Sequence, residues 1–249
     1  MGCFGEGSVE VRVFLDFDGT VSQVDVVDAI LESFADPGWR RIEEEWRVGH
    51  IGSRECLRAQ MSLVCASERD MNALLDRIEL DDGFVDVLQT CARHAVPLHI
   101  LSDGFDYCIE RILGRHRREL GALLSDVGIS ASHLEPHGDR AWRANFPFFA
   151  EGCAHGCATC KPAAMRVLRA GGSEPAVFVG DGLSDRYAAR AADMVFAKNA
   201  LADYCKNEGI VCTRYQHLGQ VALAIEGMLH DSAIGALPDR ITRGRSWVR

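Results

Sequence analysis

The run Val9-Glu10-Val11-Arg12-Val13-Phe14-Leu15 alternates as a buried strand does, then breaks into Asp16-Phe17-Asp18-Gly19-Thr20. Two carboxylates therefore stand at the C-terminal mouth of a strand, the edge of an open α/β sheet at which ligands bind. Side chains two apart on extended chain point the same way, so Asp16 is placed to attack an electrophile and Asp18 to handle a proton beside it. Gly19 lets the chain turn close to a ligand, and the Thr20 hydroxyl can donate to an anion. A strand ending in an ordinary Asp-Gly turn would show the same five residues, so the remainder of the chain has to decide.

Three further segments repeat the theme. Pro97-Leu98-His99-Ile100-Leu101 runs into Ser102-Asp103-Gly104, where a hydroxyl and the N–H groups of a starting helix make an anion site, although Ser102 alone would serve as a helix N-cap. Lys161-Pro162 opens a helical run from Ala163 to Ala170, with proline where its missing N–H matters least. The helix dipole disfavours a cation at that end, which points to an anionic partner for Lys161. Ala176-Val177-Phe178-Val179 ends in Gly180-Asp181-Gly182-Leu183-Ser184-Asp185. Acidic groups flanked by glycine at a strand end suit a hard cation held by oxygen.

Taken in order, these four motifs resemble those of the haloacid-dehalogenase-like phosphatases, over the stretch from Val11 to Asp185. The resemblance implies an α/β fold, a Rossmann-like parallel sheet with an inserted helical cap, and hydrolysis of a small-molecule phosphate ester through an aspartyl-phosphate. Asp16 would be the nucleophile and Asp18 the general acid, then base. Thr20, Ser102, Gly104 and Lys161 would hold the phosphoryl group, and Asp16, the Asp18 carbonyl, Asp181 and Asp185 would serve Mg²⁺. Charge agrees with this, because a dianionic phosphate approaching Asp16 is repelled unless Mg²⁺ and Lys161 offset it.

Between Val21 and Asp82 the texture turns helical. Val24, Val27, Ile30, Leu31 and Phe34 recur at helix spacing, as do Trp39, Ile42 and Trp46, then Leu57, Met61 and Val64, then Met71, Leu74, Leu75 and Ile78. Breaks at Pro37-Gly38 and Gly49 to Ser53 divide it into about four helices. The expected organisation is a core of residues 1–21 and 83–230, a helical cap of 22–82 and a flexible tail of 231–249. Val195-Phe196 and Ile210-Val211-Cys212 would add strands, and the Arg111 to Arg118 stretch a solvated helix face.

Immediately before Lys161 stands Cys153-Ala154-His155-Gly156-Cys157-Ala158-Thr159-Cys160. Ten cysteines and no basic-then-apolar leader argue for reduced thiols and a cytoplasmic setting. Cys153, Cys157 and Cys160 could supply soft ligands to structural Zn²⁺, with His155, His137 or a distant cysteine as the fourth, or could be thiols that merely pack.

The cysteine loop, with the later Ala197-Lys198-Asn199-Ala200-Leu201-Ala202-Asp203-Tyr204-Cys205, narrows the resemblance to the phosphoserine-phosphatase-like branch, and within it to the methionine-salvage phosphatases of 2-hydroxy-3-keto-5-methylthiopentenyl 1-phosphate. Asp25 stands where phosphoserine phosphatases carry a Glu for the substrate amine, or caps a helix. Gln60 stands where their carboxylate-binding Arg is expected, with Arg58 close by. A phosphoserine or phosphocholine phosphatase, a phosphotransferase, and a zinc-binding interaction protein with a vestigial site are the other readings. The net charge of -9 offers no field for nucleic acid, and no apolar run reaches membrane-spanning length.

Overall fold

The computed structural model describes residues 11–169 and 174–233. Its centre is β1 (Arg12–Leu15), followed by α1 (Val26–Phe34), α2 (Trp39–Arg47), α3 (Ser53–Met61), α4 (Glu68–Leu75) and α5 (Phe84–Arg93). Then come β2 (Leu98–Phe105), α6 (Asp106–Arg115), α7 (Arg117–Leu124), and a hairpin of β3 (Gly128–His137) and β4 (Ala141–Asn145). The rest alternates as α8 (Lys161–Leu168), β5 (Ala176–Gly180), α9 (Arg186–Ala191), β6 (Met194–Ala197), α10 (Asn199–Asn207), β7 (Thr213–Arg214) and α11 (Leu218–Ala233).

The seven strands form one sheet in the order β4-β3-β2-β1-β5-β6-β7, parallel throughout except for the β3–β4 pair. Alternation along the strands builds two cores. Val13, Leu15, Ile100, Val177 and Val179 belong to one and Phe14, Leu101 and Phe178 to the other, so the sheet is covered on both faces, as parallel sheets require. Strand order reverses across β1, with β2 on one side and β5 on the other, and the crevice beyond their C-terminal ends is where such folds bind ligands.

Four helices form between Val26 and Leu75, and their buried apolar residues are continuous with the core on one face of the sheet. The two chain segments joining them to the sheet run side by side. Ser22 bridges Leu80, the Gln23 N–H donates to the Glu79 carbonyl at 3.0 Å, and the Asp81 N–H donates to the Val21 carbonyl at 2.8 Å.

Several expectations are revised. Ser102-Asp103-Gly104 does not open a helix, because β2 runs on to Phe105 and α6 begins at Asp106. Ile210-Val211-Cys212 is no strand. Thr213-Arg214 makes the pairing with β6, and Val211 is exposed. The Arg-rich helix face is not merely solvated. Arg111 clasps the Asp76 carboxylate at 2.7 and 2.6 Å, and Arg115 donates to the Asp76 and Ile78 carbonyls, tying α6 to the end of α4. The expected tail does not begin at residue 231, because α11 continues to Ala233. Residues 234–249 lie outside the described residues, as does Ala170.

Candidate active site

Asp16 emerges from β1 with its N–H bonded to the Val179 carbonyl at 2.9 Å. Its carboxylate meets Lys161 Nζ at 2.7 Å, and the same ammonium reaches Asp185 Oδ1 at 2.5 Å. Lys161 is 2% exposed, and its stem is fixed in the first turn of α8, with Pro162 behind it. Burial alone would push its pKa down, but the Asp16 and Asp185 carboxylates outweigh that and hold it above its ordinary value. Asp185 is oriented in turn by the N–H groups of Asp181 and Gly182, at 3.0 and 3.2 Å from its other oxygen.

Asp18 lies beside Asp16. Ser102 Oγ donates to its Oδ2 at 3.0 Å, and the Val26 N–H, at the very start of α1, donates to its Oδ1 at 3.1 Å. Burial raises the Asp18 pKa, and these two bonds temper the rise. For Asp16, burial and then Asp185 push the carboxyl well above the usual range, against the pull of Lys161. Burial and then Asp185 take Asp181 up to about 6.

Carboxylate oxygens of Asp16, Asp181 and Asp185 converge within 4.8 Å of one another. The donors are hard oxygens, and Lys161 alone among the described residues brings an ammonium into contact with them, so negative charge is in surplus. A small divalent cation fits that donor set. The cradle is tight: Gly19 has φ +69°, and a Cβ there would lie 2.6 Å from Asp181 Oδ2. Thr20 is fully buried, does not line the cavity over the site, and donates to Asp181 Oδ1 at 3.4 Å. The Gly104 N–H is bonded to Ser102 Oγ at 2.9 Å, and a Cβ on Gly104 would collide with Asp18.

Above these groups opens a cavity of about 210 Å³, roofed by α1, α2 and α3. Asp25 lines it and also caps α1, accepting the Asp28 N–H at 2.9 Å. Gln60 lines it too, with its amide given to Glu43 at 3.0 Å. Arg58 does not line it. It is exposed, with its guanidinium over the Phe146 ring. The cationic side chain facing the cavity is Arg47, which pairs with Glu43 at 3.1 Å. Val27, Trp46, Leu57 and Leu183 give the cavity apolar wall.

Residues that sequence reasoning missed include Asp103, half-buried near Lys161 and accepting the Thr159 N–H at 2.8 Å. Asn199 is another, donating to Asp181 Oδ2 at 3.2 Å from a left-handed backbone of φ 48°. Both lie inside segments that the sequence singles out, Ser102-Asp103-Gly104 and Ala197 to Cys205. The sulfurs of Cys153, Cys157 and Cys160 converge within 4.8 Å, but His155 stacks on Tyr187 and His137 bonds to Arg143, so neither joins them.

A family profile described as haloacid dehalogenase-like hydrolase matches residues 13–190. Among similar proteins, a 2-hydroxy-3-keto-5-methylthiopentenyl-1-phosphate phosphatase of an Exiguobacterium strain is 26% identical over 223 residues, covering 88% of this chain and 99% of its own length. One of that name from Geobacillus thermodenitrificans is 28% identical over 201 residues, covering 79% of this chain and 87% of its own. Among solved structures, a substrate-bound phosphoserine phosphatase superposes with a TM-score of 0.66 at 17% identity, over 86% of this chain and 98% of that one. The last is a likeness of fold.

Proposed function

The chain belongs to the haloacid dehalogenase-like hydrolases, and from that membership we propose that it is a Mg²⁺-dependent phosphomonoesterase acting on a small phosphate ester with a neutral, partly apolar leaving group. The observation that carries this reading is the pairing on the cavity floor of Asp16, held by Lys161, with Asp18, held by Ser102 and the Val26 amide.

In this reading an Asp16 oxygen attacks phosphorus as the bond to the leaving oxygen breaks, and protonated Asp18 gives that oxygen its proton. Asp18, now a carboxylate, then takes a proton from water as its oxygen attacks the phosphorus of phosphorylated Asp16, releasing phosphate and restoring the carboxylate. The Lys161 ammonium and Ser102 hydroxyl hold phosphoryl oxygens, and the raised pKa of Asp18 supports its starting protonated. Asp16, Asp181 and the Asp18 carbonyl would hold Mg²⁺, with Asp185 beside them. When bound, the ion supplies positive charge to the phosphoryl oxygens.

The cavity argues for the leaving group. A phosphorylated amino acid needs a free cation for its carboxylate. Arg58 lies outside, Gln60 is committed to Glu43, and Arg47 is already paired. The enol phosphate of methionine salvage, carrying hydroxyl, keto and methylthio groups, suits the polar floor and the Trp46 and Leu57 wall, and it is the substrate named for the relatives above. The proposal carries a reducing, cytoplasmic setting with it, in keeping with free thiols at all nine described cysteines. Helices α1–α4 serve in it as a cap over the reacting groups.

Phosphate release from a panel that includes this enol phosphate and phosphoserine tests the reading. Mg²⁺-dependent turnover is expected, faster on the enol phosphate, and Asp16→Asn is expected to lower it by more than about a thousandfold with the fold retained. Comparable turnover by the Asn variant would remove Asp16 as the attacking group.

A further inference from the structure

We propose that Cys153, Cys157 and Cys160 bind one Zn²⁺ ion as a three-thiolate site with its fourth position open to solvent, and that this ion clamps the loop leading into Lys161 against the start of α3. The site stands independently of the phosphate chemistry.

The three sulfurs lie within 4.8 Å of one another, and thiolates about 2.3 Å from a tetrahedral zinc stand roughly 3.8 Å apart, so little movement closes the site. The loop turns tightly around the sulfurs: the Gly156 N–H donates to the Cys153 carbonyl at 3.4 Å, and Gly156, at φ +61°, supplies a left-handed turn between the first two cysteines. The Cys160 sulfur, at the N-cap of α8, completes the group. Three sulfurs cannot pair off in a disulfide without leaving a third. Cys157 and Cys160 are buried and Cys153 is half-buried, which puts the open position on the Cys153 side.

The same loop grips the helical insert. The Arg54 N–H donates to the Gly156 carbonyl at 3.0 Å, and the Ala158 N–H donates to Ser53 Oγ at 3.0 Å. The Gly52 and Gly156 backbones touch so closely that a Cβ on Gly52 would lie 2.5 Å from the Gly156 oxygen. One residue beyond Cys160 stands Lys161. A metal knot at this point therefore fixes the ammonium, the loop and the N-terminus of α3 as one piece.

The test is metal content of the full chain, purified under reducing conditions, stripped with chelator and refilled with Zn²⁺. About one equivalent of zinc per chain is expected, and Co²⁺ in its place should give thiolate-to-metal charge-transfer absorption. Cys153→Ser and Cys157→Ser should each hold less than about a tenth of an equivalent, whereas Cys212→Ser and Asp181→Asn should keep the full complement, separating this site from the carboxylate cluster. Zinc below about a tenth of an equivalent in the refilled wild type would overturn the proposal. So would full zinc in Cys153→Ser, or a disulfide within the cluster that persists under those conditions. Phosphatase activity enters none of these readings, so a failure of either proposal leaves the other standing.

Discussion

His99 stands on β2 with Nε2 2.9 Å from Ser130 Oγ, and its ring occupies the space a Cβ on Gly128 would need, 2.1 Å from Nδ1. Burial and then the nearby Arg12 push its pKa down to about 4. A histidine that protonates near 6.5 when unfolded and near 4 when folded contributes stability that is whole above pH 6.5 and is lost as pH falls through that window. The raised carboxyls of Asp16 and Asp18 act with the opposite sign, since acidification relieves their buried charge. The fall in urea midpoint from pH 7.5 to pH 5 should therefore be smaller in His99→Gln than in the wild type, or become a rise. An unchanged difference would show that another group titrates. At this scale the sequence was readable where a polar side chain stood at a strand end, as Asp16, Asp18, Ser102 and Asp181 do, or opened a helix, as Lys161 does, and the structure brings these groups together. The Val26 amide on Asp18 was not readable, because a backbone donor has no signature of its own. Glu43 and Arg47 look in sequence like a wet charged face, and Trp46 reads with Trp39 and Ile42 as an apolar stripe. Only the fold turns them to the cavity.

The helices of the insert were legible from their 3.6-residue recurrence, and α4 carries a full capping box between Ser67 and Asp70. The β3–β4 hairpin was not. β3 contains His133, Glu135 and Pro136 and loses alternation in its second half, and the hairpin's buried anchor, Trp142 on β4, takes its partner from the insert by donating to the Ala66 carbonyl at 2.9 Å. Long-range partners of that kind override local pattern. The approach of α3 to the cysteine loop leaves little room. Gly52→Ala forces a Cβ onto the Gly156 backbone and is expected to destabilise the protein by about 1–3 kcal/mol, as overpacking does. Denaturant titration checks it, and a loss within experimental error would mean the two backbones separate freely.

Across the whole molecule, the dominant imbalance is electrostatic. The chain carries a net charge of -9, and its buried floor holds more carboxylates than ammonium groups. A cation that binds only the folded state raises stability by mass action: at a hundredfold excess over Kd, Mg²⁺ should add about 2.7 kcal/mol, a Tm rise of roughly 5–11 °C for a chain of this size. Differential scanning calorimetry with Asp181→Asn as the control checks this, and an equal rise in the variant would place the ion elsewhere.

The bond from the Val26 amide to Asp18 has a further meaning for a machine of this shape. The group proposed to deliver the proton is steadied from one side by the sheet, through Ser102, and from the other by the first residue of the helix that roofs the cavity. Were α1 to swing away, half of that grip would go with it, so the acid owes its alignment to the roof as much as to the floor. Such wiring would be an interlock: a raised guard would disconnect the trigger.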